Sequence, residues 1–574
     1  MEVMLTDNAI EILRARYLAR DEAGKVVETP AQLFRRVARA VSMAEACDRP
    51  LWEERFFRLM EQGEFLPNSP TLMNAGLPEG QLSACFVLPV GDTMDAIFEC
   101  LRHTALIHQS GGGTGFNFSS VRPRGDRTGS GPGTASGPLA FMQVFDEATR
   151  QVRQGGRRRG ANMGILECTH PDVLAFVRSK EDPSQLQNFN LSVGVSDQFM
   201  KAVERGNPWA LYNPRDGKQW GELPARELWG AIGQQAWKRG DPGLLFLDTI
   251  NAGNTVPSLG RLQATNPCGE LPLYPYESCN LGSVNLRGMV RKDLQGHPGV
   301  DWERLGATVR TGLRFLDNVI SVNRFLLPQV REVTLANRKV GLGVMGWAEL
   351  LIELGIPYAS EQAVDLARNV MGFIRECSYE ASEELARERG PFPNWPGSVF
   401  YPKRPLRNAT CNSVAPTGSI SVIAGTSYSI EPLYALAFKR VGILEGETQW
   451  ETNQVAYRWL LERGLWTPDL EQHLRDNGGV SGYQGMATGV RELLATAHEI
   501  PWEYHLAHQQ AFQEHTDNAV SKTVNLPRET PESMVSEVYW RAWELGLKGI
   551  TVYRDGSREG QVLQHCSRSG PCEG

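Results

Sequence analysis

The chain has 574 residues, 41% hydrophobic and 22% charged, which is material enough for a large core. Its 59 basic and 66 acidic residues leave a net charge of −7, which excludes a general nucleic-acid coat. No stretch approaches the roughly 18 uninterrupted apolar residues of a membrane span, and acids and arginines occupy the N-terminus where a signal peptide needs an apolar centre. A cytoplasmic protein is expected, in which most of the 10 cysteines are small buried hydrophobes.

In chain order, Thr6 or Asp7 caps a first helix whose Ile10, Leu13 and Tyr17 share a face. Thr29, Pro30 and Gln32 then form a capping box with proline at the first helical position, and Leu33, Phe34 and Val37 supply the next apolar face. These segments define an expected helical unit over 1–64. From residue 65 short apolar runs alternate with glycine-rich turns. Cys85–Leu88, Leu191–Val195 and Val414–Ile423 read as buried strands, and Trp302–Phe325 and Gln362–Arg389 as amphipathic helices. That alternation predicts an α/β unit over 65–554. Residues 555–574 are polar and glycine-rich, a mobile tail.

The segment richest in chemistry is Asn266-Pro267-Cys268-Gly269-Glu270, followed by Cys279. Pro267 biases Asn266 towards extended backbone. In an extended chain Asn266, Cys268 and Glu270 share one face, bringing an amide, a thiol and a carboxylate together. By themselves these residues fit a loop with a buried cysteine at least as well.

Their company changes the reading. Asn68-Ser69-Pro70-Thr71 precedes Ala84-Cys85-Phe86, then come Gly111-Gly112-Gly113-Thr114-Gly115, Gln154–Ala161 with its three arginines, and Pro416-Thr417-Gly418-Ser419-Ile420-Ser421. With these motifs in this order, the chain resembles the catalytic subunit of ribonucleotide reductase over nearly its whole length. The resemblance implies a ten-stranded α/β barrel with 266–270 as a finger loop through its centre. It implies that Cys268 becomes a thiyl radical that removes the ribose 3′ hydrogen, which works because S–H and activated C–H bonds are close in strength. Glu270 would take the 3′-hydroxyl proton and Asn266 would hold the sugar hydroxyls. Cys85 and Cys279 would form a disulfide in each turnover, to be reduced by Cys566 and Cys572 in the tail through thiol–disulfide exchange.

Substrate contacts are expected from Ser69, Ala84, Cys85, Gly113, from Asn266, Pro267, Cys268, Gly269 and Glu270, and from Pro416, Thr417, Gly418, Ser419 and Ile420. The stretch Thr417–Ser419 offers hydroxyls and backbone N–H groups at the start of a helix, where anions are favoured. Asp92 resembles the acid that holds a deoxynucleotide effector, Arg122 and the loop Arg127–Gly137 would face effector phosphates, and Gln154–Ala161 would pass the signal to the substrate. The short Arg122–Gln154 region resembles the dimeric members of the family, so a homodimer is expected. Because the sequence starts with the helical unit, the additional N-terminal nucleotide-binding cone of many relatives is not expected. A thioredoxin or glutaredoxin-type protein is the expected reductant. Diphosphate and triphosphate substrates both remain open, with deoxynucleotides or ATP as effectors and no nucleic acid or membrane as partner.

Three classes of the family differ in radical source. The class served by a metal subunit relays the radical through two adjacent tyrosines, and here Thr551 and Val552 stand at the matching positions. The glycyl-radical class needs an arginine-bearing motif near the end, and Val480-Ser481-Gly482-Tyr483 lacks the arginine and comes too early. The class that cleaves adenosylcobalamin remains, and Thr551–Arg558 resembles it. No D-x-H-x-x-G signature is present, so no protein histidine on cobalt is expected, and no resident metal site.

Two other functions stay in view. Gly341-Leu342-Gly343-Val344-Met345-Gly346 matches the dinucleotide fingerprint, with Glu361 downstream, so a nicotinamide-dependent dehydrogenase is the rival enzyme. A true fingerprint follows a buried strand, whereas only Val340 precedes this one as an apolar residue. A non-catalytic nucleotide-binding regulator is the second. Cys268 and Cys279 lack the neighbouring ligands of a zinc site.

Overall fold

The computed structural model describes residues 5–557, except 79, 130–131, 155–157 and 442–447, together with Leu563–Gln564. Cys566, Cys572, the middle of the arginine-rich loop and part of the Arg127–Gly137 loop therefore lie outside the described residues.

Two sets of parallel strands build the centre of the molecule. The first runs Cys85–Val87, Gly113–Asn117, Asn162–Glu167, Phe189–Val195 and Gly243–Phe246, each hydrogen-bonded to the next. The second runs Ser278–Asn285, Val340–Met345, the extended stretch 410–414, the run from Val520 into Thr523–Leu526, and Gly549–Arg554. The sets meet antiparallel at both seams, with Cys279 opposite Cys85 and Leu244 opposite Ile550. These pairings close a ten-stranded α/β barrel, as expected. The strands are largely buried, because helices cover them outside and the finger fills them inside, and they carry buried polar residues such as Asn162, Asn280 and Asn412.

Outside the ring, Phe65–Pro67 pairs with Ser278–Asn285. The helices Trp302–Val322 and Glu361–Arg389 start at side-chain caps, Asp301 accepting from the Arg304 N–H and Ser360 from that of Ala363. At the N-terminus Thr6 caps Asp7–Ile12, which widens into a π-helical turn over Leu13–Tyr17, and Thr29 and Gln32 form the reciprocal capping box of Pro30–Ser42. Leu13, Leu33, Phe34 and Phe56 share one apolar cluster with Val284, Leu313 and Leu342, so these helices pack directly on the barrel.

Two sequence expectations need correction. The strand predicted over Val414–Ile423 stops early: only its start joins the barrel, and Gly418–Ala424 is a helix. Thr417, at φ 59°, breaks the extended run and turns the chain into that helix. The G-x-G-x-x-G run is not a glycine-rich phosphate loop: its first five residues lie inside the strand Val340–Met345, and Gly346 leads straight into the helix Trp347–Leu354. A Cβ on Gly343 would come within 2.2 Å of the Ser413 carbonyl oxygen, so that glycine serves the close approach of the neighbouring stretch. The basis for a dehydrogenase is thereby removed.

Among the described residues no helix is long and apolar enough to cross a membrane.

Candidate active site

The finger is a hairpin. Ala264 and Thr265 pair with Leu273 and Pro272, and its tip is Asn266–Glu270. The barrel wall is shaped to receive it. A Cβ on Gly115 would sit 1.7 Å from the Thr265 carbonyl oxygen, and one on Gly113 would sit 2.9 Å from the Pro267 ring. The opposite wall holds the tip through the Glu270 carbonyl, which accepts from Ser413 Oγ and Ala519 N–H, both at 2.9 Å. Asn190 Nδ2 donates to the Pro267 carbonyl at 2.8 Å.

The expected extended backbone at 266–270 is not found. The tip is a tight turn in which the Gly269 N–H donates to the Asn266 carbonyl at 3.1 Å and Gly269 takes φ 82°. The three side chains converge through this turn and not through strand alternation, because the hairpin must reverse inside the barrel. Asn266 and Glu270 are buried, while Cys268 remains exposed at the tip. Asn266 works in both directions, its Oδ1 accepting from the Leu271 N–H and its Nδ2 donating to Cys85 Sγ at 3.1 Å.

The cysteine pair is brought together by the barrel seam. Residues directly opposite on antiparallel strands have Cα atoms about 4.5–5.5 Å apart, within the span a disulfide bridges. Burial pushes both thiols well above the usual range, with the nearby Glu270 adding to it at Cys85 and Glu277 at Cys279. At neutral pH both are therefore thiols that carry their hydrogens. Ahead of Cys279, the buried Glu277 is paired with Lys339 at 2.9 Å and also accepts from Asn337 Nδ2 and the Tyr274 N–H.

Burial raises the Glu270 carboxyl to about 7, an effect the Asn266 amide opposes. Its Oε2 is buried without a hydrogen-bond partner, as suits a base waiting for a substrate hydroxyl.

A cavity of about 290 Å³ lies over this cluster and is lined by Ser69, Ala84, Cys85, Cys268, Glu270 and the run Pro416–Ile420. Of the other expected substrate residues, Gly113 supports the finger from beneath, and Pro267 and Gly269 face a second cavity. Thr417 does not offer a free hydroxyl: its Oγ1 accepts from the Ser429 N–H and bonds Ser421 Oγ, both at 2.7 Å. Backbone N–H groups at the start of the Gly418–Ala424 helix remain to meet an anion. Two residues of the N-terminal helical segment also reach this cavity, Arg16 and Tyr17, with Tyr17 Oη 2.8 Å from Ser69 Oγ. Nothing in their local sequence marks them for it.

The second cavity, about 260 Å³, has Cys268 and Pro416 in common with the first. Through Glu431, Thr523 and Thr551 it shares walls with a third, about 420 Å³ and lined by Tyr428, Pro432, Leu433, Tyr434, Val552 and Tyr553. Thr551 and Val552 are among the residues that line this space. The second cavity also contains the buried Gln509, whose Oε1 has no partner. A large ligand with an apolar face and a polar arm reaching towards Cys268 fits these walls.

Asp92 and Arg122 lie away from the cavities and contact each other. Arg122 Nε donates to Asp92 Oδ2, and the Arg122 N–H to Asp92 Oδ1, both at 2.8 Å.

Comparison with known proteins agrees with this architecture. Residues 3–80 match the all-alpha domain of ribonucleotide reductase, and residues 83–403 and 401–553 match its barrel domain. The chain is 49% identical to a vitamin B12-dependent ribonucleoside-diphosphate reductase of Mycobacterium tuberculosis, over 99% of this chain and 80% of that one. It is 44% identical to a protein of the same name from Thermoplasma acidophilum, over 98% of this chain and 80% of that one. Among solved structures, the alpha subunit of the class Id ribonucleotide reductase of Actinobacillus ureae superposes with a TM-score of 0.80 at 24% identity, over 97% of this chain and 98% of that one, a likeness of fold.

Proposed function

The chain belongs to the ribonucleotide reductase family, and on that premise we propose that it reduces ribonucleoside diphosphates to 2′-deoxyribonucleotides with adenosylcobalamin as its radical source. The observation that carries the reading is the meeting of Cys85, Cys268 and Glu270 at one cavity, with Cys279 directly opposite Cys85 on the neighbouring strand. The diphosphate level and the cofactor follow the names of the relatives at 44% and 49% identity. The metal-subunit class is disfavoured because threonine and valine cannot carry a redox relay.

Bound adenosylcobalamin supplies, by homolysis of its cobalt–carbon bond, the oxidant that makes the Cys268 thiyl radical. The aromatic walls around Tyr428 and Tyr434 would hold the cofactor, with the cavity beside Gln509 receiving its nucleoside arm. Cys268 takes the 3′ hydrogen and returns it at the end of the turnover, and Glu270, ionised, takes the 3′-hydroxyl proton and gives it back when the 3′ carbon is restored. Cys85 and Cys279 deliver two hydrogens as the C2′–OH bond breaks, so that water leaves, C2′ gains hydrogen and the thiols become a disulfide. Asn266 positions Cys85 and the turn. Ser69, Ala84 and the start of the Gly418 helix seat the nucleotide. Cys566 and Cys572 would reset the disulfide, drawing on a thioredoxin or glutaredoxin-type protein, and Asp92 with Arg122 would hold an effector in a homodimer.

The test is anaerobic reduction of the four ribonucleoside diphosphates and triphosphates by the full chain with dithiothreitol, with and without adenosylcobalamin. Deoxynucleotide formed only with the cofactor, and from diphosphates, is the expected result. Product that requires an added radical-generating subunit instead would overturn the cofactor assignment.

A further inference from the structure

Gln509 is only 1% exposed. It projects from the helix Trp502–Gln513 into the second cavity, the one that holds Cys268 on the side away from Ser69. Its Nε2 donates to the Gly549 carbonyl at 2.8 Å, which fixes the orientation of the amide, since the opposite flip would set two oxygens against each other. The Oε1 left over is a buried acceptor with no partner. Leaving such an atom unsatisfied is costly, so its presence beside a cavity points to a ligand that donates to it.

A second acceptor in the same cavity is already oriented. Glu431 Oε1 accepts from the Thr523 N–H at 2.8 Å and Oε2 from Lys522 Nζ at 2.6 Å. Lys522 is itself anchored by His505 Nδ1 at 3.0 Å and the Thr523 carbonyl at 3.1 Å. His505 donates its other ring nitrogen to the Ala497 carbonyl, and burial beside Lys522 keeps it neutral. The carboxylate is thus held rigid, with lone pairs to spare, on the wall between the second and third cavities. The required occupant is a small group rich in N–H and O–H donors that enters from the third cavity and ends near Cys268.

We propose that Gln509 and Glu431 are the recognition residues for the nucleoside arm of the cofactor, Gln509 Oε1 accepting one donor of the deoxyadenosyl group and Glu431 another. The inference rests on the cobalamin reading, and it assigns to these two residues the preference for the adenosylated form over other cobalamins. No feature of the local sequence marks either residue.

The experiment is equilibrium dialysis of the full chain against adenosylcobalamin, hydroxocobalamin and free 5′-deoxyadenosine. Gln509→Leu should weaken adenosylcobalamin and 5′-deoxyadenosine by about tenfold, the loss expected for one buried hydrogen bond, and leave hydroxocobalamin within about twofold. Should Gln509→Leu fail to fold, as judged by its melting curve, Gln509→Met keeps the length without the polar atoms. Equal weakening of all three ligands, or of none, would overturn the proposal. Wild type that binds both cobalamins equally would also overturn it, leaving the cobalamin reading intact. Wild type that binds neither cobalamin would remove that reading, whereas nucleoside binding sensitive to Gln509 would still support the seat.

Discussion

Glu270 offers a measurement in which stability and activity must move in opposite directions. Burial raises its carboxyl from 4.5 to about 7, and Oε2 is left without a partner. The folded chain therefore holds the proton more tightly than the unfolded chain. Ionising Glu270 costs nothing below the unfolded value, costs more as pH rises from 4.5 to about 7, and reaches its full cost above that. At about 1.36 kcal/mol for each pH unit, the full cost is roughly 3 kcal/mol. Glu270→Gln removes the charge and with it the cost. Thermal melts of the full chain should show the variant about 2–3 degrees more stable at pH 8, with the difference shrinking towards zero as pH falls to 4.5. Activity should respond in the opposite sense. For wild type, kcat/KM should climb with pH and level off above about 7, because the base must be ionised. The variant should show a flat profile at least about a hundredfold lower. Parallel melting curves, together with a wild-type midpoint near 4.5, would refute the reasoning.

The remaining predictions concern the finger and its surroundings. Cys268→Ala should abolish both turnover and hydrogen exchange at the 5′ carbon of the adenosyl group, and normal turnover would sink the thiyl mechanism. Cys279→Ser should leave substrate binding intact while preventing product formation, and mass analysis of wild type after one turnover without reductant should find Cys85 and Cys279 joined. Gly115→Ala should displace the finger, since its Cβ would lie 1.7 Å from the Thr265 carbonyl oxygen. Activity should fall at least about tenfold with the fold retained, and normal kinetics would contradict the close approach. Lys339→Met should destabilise the chain by about 3–5 kcal/mol in denaturant melts, because it strands the buried Glu277 carboxylate without its partner.

Local physics made much of this protein legible before any coordinates. Thr29-Pro30-Ala31-Gln32 forms its capping box wherever it is placed, because donor and acceptor lie three residues apart. The limits of Glu361–Arg389 follow from Ser360 at one end and Gly390 at the other. Cys268, Glu270, Cys85 and Cys279 were identifiable from short motifs in a fixed order, and Thr551 with Val552 argued against a tyrosine relay. What the sequence could not express was anything set by the barrel closing. The conformation of 266–270 is a turn because the hairpin must reverse against Gly113 and Gly115 on one wall and Ser413 and Ala519 on the other. The stretch beyond Val414 becomes a helix because Thr417 leaves the extended region at the barrel rim. The glycines at 341 and 343, identical in spacing to a phosphate loop, exist for interstrand contact. Arg16, Tyr17, Glu431, Lys522 and Gln509 carry no local mark, since their place at the cavities arises from contacts between residues tens to hundreds of positions apart. Motif order by itself identified the chemistry. Which groups surround it, and which of them burial leaves without a partner, was decided only when distant strands met.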